Sequence, residues 1–183
     1  MKYNYKLAAL ILALAVLGSV FIGGGHSLSK KYTKVRETFF SGAEGDGLSI
    51  YSDIKERRDS GYNLLTISKR YLSQTSEEVK ALSATIQSLE QAISGSSISD
   101  MYRANEELTG TAEALYRKLS EQALSESDKK LLEAQYANIT GNALTISRDG
   151  FNAKAQEMND TLSRFPTNVI AAVNGIHKLD LFR

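Results

Sequence analysis

LSESDKKLLEAQYANITGNALTISRDGFNAKAQEMNDTLSRFP, Leu124–Pro166, is the stretch whose reading decides the fold class. Ser125 followed by Asp128 three residues on has the form of a capping box, and the acid also sits in the first turn, where the helix dipole favours it. Leu132, Tyr136, Ile139, Ala143 and Ile146 then recur at steps of four and three, the period of one helix face. After Gly150 the stripe restarts one residue later with Phe151, Ala155, Met158, Leu162 and Phe165, the drift expected of a nearly straight helix. Pro166, the only proline of the chain, disfavours helical geometry at Phe165 and ends the run. The spacing predicts one long amphipathic helix from Ser125 to Pro166.

Upstream, the same period recurs. Met101, Leu108, Leu115 and Leu119, with Ala104 and Ala112 between them, predict a helix capped by Asp100 and ending near Ala123. Gly110 inside it marks either a close helix crossing or a kink. Gly95–Ser99 reads as a loop. From Leu48 to about Ser94 the pattern is helical, with Leu65, Leu72, Val79, Leu82, Ile86, Leu89 and Ile93 on one stripe. Tyr51, Ile54, Arg58, Tyr62 and Leu65 share a face further upstream, and an unbroken helix there would be about 70 Å long. Ser41–Gly47, SGAEGDG, reads as a loop, preceded by the helical stripe Leu28, Tyr32, Val35 and Phe39. After Pro166, Thr167–Gly175 suits a short helical turn, and the tail IHKLDLFR alternates loosely enough to dock on the bundle.

The N-terminus differs in kind. Leu7–Ile22 is an uncharged apolar run of 16 residues, which Gly23–Gly25 extend towards the roughly 20 a membrane-spanning helix needs. It reads as a permanent anchor, or as a signal peptide cut after Gly25. Gly23–Gly25 could also form a flexible joint to the helix that follows. Before Glu37 there are six basic residues and no acidic one, whereas from Glu37 onward 16 basic residues face 21 acidic ones. Positive charge flanking an apolar segment suits lipid headgroups, and the mildly acidic remainder argues against nucleic acid as a partner. Both flanks of the segment are basic: the habit of short-tailed anchors favours a domain outside the cytoplasm, which is the expectation taken, while the larger basic cluster after the segment favours the opposite.

These readings give an all-α fold: an elongated antiparallel up-and-down helical bundle preceded by one N-terminal transmembrane helix. The divisions are a tail (1–6), the anchor (7–25), a juxtamembrane helix and loop (26–47), the long-helix bundle (48–165), and a short helix with tail (166–183). Without cysteine, thiolate catalysis, disulfides and Fe–S clusters are excluded. His26 and His177 are the only histidines, and neither follows Glu at the Glu-x-x-His spacing of bundle metal sites. No G-x-S-x-G occurs. No catalytic residue, cofactor or metal is therefore expected.

Two blocks carry a family likeness. SRDGFNAKAQEMNDTLSRFPTNVIAAVNGI, Ser147–Ile176, resembles the C-terminal helix of the LemA family, R-x-x-[YF]-N, a second Asn seven residues later, then F-P-x-N and an apolar stretch. The matching residues are Arg148, Phe151, Asn152, Asn159, Phe165, Pro166 and Asn168. Asn142 matches a further family Asn, although Gly141 replaces the usual Glu before it. RRDSGYNLL, Arg57–Leu65, is similar to the family's R-R-x-x-L-I-P-N-L-V, with Tyr62 in place of proline. The family's Y-P before its last long helix is missing, and its A-x-x-E pattern is blurred around Leu131–Tyr136, as in a divergent member. The resemblance implies a helical bundle on a membrane anchor in bacteria and implies no reaction.

The polar residues of these blocks form the candidate site. Asn152 and Asn159 are seven apart, hence nearly on one helix face. Arg57, Arg58 and Asn63 could meet Arg148, Asn152 and Asn159 across the bundle. Such a set reads as a buried network that fixes helix register; the alternative is a ligand or partner site. The expected function is a membrane-anchored scaffold or interaction protein of the cell envelope, with unknown protein partners and self-association left open. The second reading is an extracytoplasmic sensor that holds a small molecule in space left by Gly110, Gly141 and Gly150.

Overall fold

The computed structural model describes residues 4–43, 45 and 47–183, and of residue 17 the backbone alone. Among the described residues every regular element is helical: α1 (Tyr5–Ser41), α2 (Ile50–Tyr71), α3 (Glu77–Gly95), α4 (Ile98–Ser120), α5 (Glu126–Ser147), α6 (Phe151–Ser163) and α7 (Thr167–Val173). Two compact units divide the chain: Thr38–Asn152 with Asp180–Arg183, and Met1–Glu37 with Ala153–Leu179.

In the first unit α2, α3, α4 and α5 form the expected up-and-down bundle. α3 packs mainly on α4, and α2 mainly on α5. The antiparallel sense is legible in the polar pairs between α2 and α5. Asn142 donates to Glu56 at 3.0 Å and Asn63 donates to Gln135 at 2.9 Å, so one numbering rises as the other falls. The core is built from Ile54, Leu64 and Ile67 of α2, Leu82, Ile86 and Leu89 of α3, Met101, Leu108 and Leu115 of α4, and Leu132 and Ile139 of α5, all almost fully buried. Burying each such side chain contributes about 1.5–3 kcal/mol. A Cβ on Gly61 would stand 3.0 Å from Ile86 Cδ1, so this glycine lets α2 and α3 approach closely.

Two expected long helices are each broken once. The run from Leu48 to Ser94 stops at Tyr71 and restarts at Glu77. Between them Ser73 and Thr75 bond to each other through their side chains (2.8 Å), and Ser73 Oγ also accepts from Thr75 N–H at 3.2 Å. Hydroxyl side chains offer the backbone a turn in place of the helix ladder. The run from Ser125 to Pro166 stops at Ser147 and restarts at Phe151, where Asp149 Oδ1 accepts the Phe151 N–H at 2.6 Å. The one-residue shift in the apolar stripe is therefore a helix break at which the Asp149 side chain holds the first N–H of α6, and not a drift. Ile146 and Phe151 are buried on either side of it.

The remaining corrections are local. α4 begins at Ile98, capped by Ser97, whose Oγ accepts from Asp100 N–H at 3.3 Å. Asp100 thus lies in the first turn, and the loop before α4 shrinks to Ser96 and Ser97, Ser96 taking the left-handed conformation (φ 53°) that ends α3. The buried face of α2 runs through Ile54, Arg57, Gly61 and Leu64, one residue ahead of the expected face, and leaves Tyr62 40 % exposed. Phe165 is 83 % exposed and belongs to no stripe. Of the loop Ser41–Gly47, Glu44 and Asp46 lie outside the described residues, as does the start of the N-terminal tail.

Ser125 does cap α5, accepting from Asp128 N–H at 3.1 Å. The Asp128 carboxylate does not return to complete a capping box; it accepts from Tyr71 Oη and pairs with Arg70, tying the end of α2 to the start of α5. The bond from Tyr71, helped by Ser125 and Arg70, holds the Asp128 carboxyl below its ordinary pKa against the opposing effect of burial. Ser125→Ala is expected to lower stability by about 1 kcal/mol, read in urea unfolding curves.

In the second unit α1 is one helix of 37 residues, about 55 Å long, and Gly23–Gly25 lie inside it without a break. Its most apolar 18-residue window has a mean hydropathy of 2.5 and no residue buried by the protein. It is the one described helix long and apolar enough to cross a membrane. The buried apolar side chains described in this unit are Leu28, Ala155, Met158, Leu162, Ala171 and Leu179, with Asn159 buried among the polar ones. Gly24 and Gly25 touch α7: a Cβ on Gly25 would overlap the Asn174 side chain, and one on Gly24 would stand 3.1 Å from Ile170 Cδ1.

Candidate functional site

Arg57 is the largest fully buried side chain of the bundle. Its guanidinium bonds the Asn105 Oδ1 of α4, reaches the Asn105 carbonyl at 3.4 Å, and donates from Nη2 to Thr109 Oγ1 at 2.6 Å. Asn105 and Thr109 are four apart, one turn of α4, which matches the two arms of the planar fork. The Nε of Arg57 is buried without a hydrogen-bond partner. Among the described residues no carboxylate lies within ion-pair distance of it. Burial pushes the Arg57 pKa down to about 10, against the distant pull of Glu106 and Asp53. Asp53 is raised, first by burial and then by the negative charges of Glu56 and Asp149, with Arg57 opposing. A cation held in the core and a carboxylate partly robbed of its solvent mark a fixed polar centre.

Beside this centre lies a cleft of about 270 Å³ between α4 and α5, lined among others by Asn105, Glu106, Ile146, Asp149, Asn152 and Arg183. Its wall includes Phe182 near the end of the chain. Phe182 is buried in an aromatic cluster, with ring centroids 5.6 Å from Phe39 and 5.2 Å from Tyr102, while Phe39 stands 5.2 Å from Phe151. The Asn152 side-chain amide donates to the Phe182 carbonyl at 2.7 Å, and its Oδ1 accepts the Phe182 N–H at 2.8 Å.

In the other unit Asn159 does the same to Leu179, donating to its carbonyl at 2.9 Å and accepting its N–H at 2.7 Å. Each carboxamide therefore closes a two-bond clamp on the backbone of one tail residue.

The six residues expected to form one network do not meet. Arg57 bonds to α4. Arg58 donates to its neighbour Asp59 at 2.7 and 2.9 Å. Asn63 pairs with Gln135 on the exposed side of α2 and α5. Arg148 caps the exposed end of α5. Asn152 and Asn159 hold the tail. The expectation failed because the buried face of α2 is one residue ahead of the face assumed, which turns Arg57 towards α4 and leaves Arg58 and Asn63 outside it. The residues missed were Asn105 and Thr109. Their signal was available: both are polar residues placed among Met101, Ala104, Leu108 and Ala112 on the apolar face of α4.

The arrangement is suited to holding and positioning. It joins no nucleophile to a base, and among the described residues no group of three or more His, Asp or Glu side chains could hold a metal ion. Gly110, Gly141 and Gly150 are exposed with nothing near a built Cβ, so they make no space between helices for a small molecule. Compared with known families, residues 48–183 match the model described as "LemA family". No curated protein and no solved structure matches.

Proposed function

The chain belongs to the LemA family, and from that premise we propose that it is a membrane-anchored, non-enzymatic scaffold or interaction protein of the cell envelope. The observation that carries the reading is α1. Leu7, Leu10, Ile11, Leu12, Leu14, Val16, Val20 and Ile22 are each more than half exposed, an apolar surface that water would not tolerate and a bilayer would cover. Its continuation through Gly23–Gly25 into a stretch of the same helix whose Leu28 is buried favours a retained anchor over a cleaved leader. The domain beyond it offers helix surfaces and a rigid polar centre, which suits binding other proteins better than turning over a substrate.

Cell fractionation tests this. The full chain is expected in the membrane pellet after an alkaline carbonate wash. A chain starting at Ser27 is expected in the soluble fraction, still helical and still cross-linking to the same envelope protein. Recovery of the full chain in the soluble fraction, or of a processed chain lacking α1's apolar half, would refute the anchor.

A further inference from the structure

The strictly apolar run of α1 ends at Ile22, short of a full hydrocarbon core, and the span is completed by Gly23–Gly25, against which another segment stands. Sixteen helical residues, Leu7–Ile22, cover about 24 Å, against a hydrocarbon core about 30 Å thick. The turn after Ile22 is therefore drawn into the boundary between acyl chains and headgroups. That turn is where α7 sits: Ile170 lies against Gly24, Asn174 lies against Gly25, and the Asn174 amide reaches the Phe21 carbonyl at 3.4 Å. The two glycines are what bring α7 to this depth, because a side chain at either position would push it away.

The segment around α7 is composed for that boundary. Phe165–Ile176 is a run of 12 residues without a charge, flanked by Arg164 on one side and His177 and Lys178 on the other. Val169 and Val173, one turn apart, are 40 and 66 % exposed, Phe165 is 83 % exposed, and Ile22 of α1 is 76 % exposed. The polar Asn174 amide is occupied, bonding the Ile170 carbonyl at 2.8 Å as well as Phe21. Beyond this level α1 exposes Lys30, Lys31 and Lys34, a basic collar at the height of anionic headgroups.

We infer that Phe165, Val169 and Val173 insert into the membrane interface beside α1, so that α7 is a second, shallow lipid contact that completes a short anchor. This rests on the membrane reading of α1 above. The chain has no tryptophan, so single probes are unambiguous. Phe165→Trp and, separately, Leu14→Trp are placed in the full chain. Each is reconstituted into phosphatidylcholine–phosphatidylglycerol vesicles whose acyl chains carry bromine at shallow or deep positions. Both side chains are exposed, so neither substitution disturbs packing.

The expected result is blue-shifted emission from the position 165 probe, quenched by shallow bromines and shielded from aqueous iodide, with the position 14 probe quenched by deep bromines. Adding Val169→Asp and Val173→Asp to Phe165→Trp abolishes the lipid quenching while helical circular dichroism stays. If the position 14 probe meets lipid but the position 165 probe is quenched only by iodide, the inference falls and the anchor stands. If the position 165 probe is shielded from iodide and from lipid alike, a protein surface covers it, and lipid is the wrong occupant. If neither probe meets lipid, the anchor falls and the inference with it.

Discussion

Replacing Arg57 by alanine is expected to destabilise the bundle by about 2–4 kcal/mol, a large part of a domain's total stability. The loss has two sources. The buried Asn105 Oδ1 and the Thr109 hydroxyl lose the donor that satisfies them, at about 1–3 kcal/mol for each buried group left unpaired. The alanine also leaves a void where the aliphatic stem was packed. Desolvation works the other way. The fall of the Arg57 pKa from its ordinary value to about 10 corresponds to roughly 3 kcal/mol of cost for keeping the cation in the core. Removing the whole polar set should therefore be far cheaper than removing the cation alone. Arg57→Met combined with Asn105→Leu is expected to recover most of the stability lost in Arg57→Ala. Arg57→Lys falls between, because one ammonium cannot span Asn105 and Thr109. Urea unfolding followed by helical circular dichroism measures all four proteins. An Arg57→Ala protein as stable as the parent would show that the guanidinium bonds contribute nothing net.

Asn159→Ala is expected to cost about 2–3 kcal/mol and to do so locally. It strands the N–H and the carbonyl of Leu179, both at a buried position, with no replacement partner. The extended tail has no helix ladder of its own, so the loss should appear as tail release before it appears as loss of the bundle. Carboxypeptidase digestion is the sensitive readout: the residues after Gly175 should be trimmed much faster in Asn159→Ala than in the parent, while helical content is unchanged. Equal trimming rates would mean that the apolar contacts of Leu179 and Phe182 hold the tail unaided.

The fold class was legible because its signals are periodic. Leu82, Ile86 and Leu89, or Leu108 and Leu115, recur at helical steps and are buried where the step places them. What escaped was local chemistry that leaves the period intact. Ser73 and Thr75 end α2 by bonding to each other, although the apolar stripe runs on past them into α3. Asp149 holds the first N–H of α6 across a shift that resembles the drift of a straight helix. The face of α2 was misjudged because its true stripe contains Arg57 and Gly61, which score as polar and weak, beside a false stripe containing Tyr62 and Leu65. The partners of Asn152 and Asn159 are backbone groups, and no residue pattern advertises a backbone partner 20 or 30 positions away.

The clamps read the main chain and not the side chains. Asn152 and Asn159 each engage the N–H and the carbonyl of one tail residue, so the bonds themselves do not depend on which side chain Phe182 or Leu179 carries. Proline is the exception, because it has no N–H to give. Divergent chains built this way should vary among apolar residues at these two buried positions and exclude proline from both.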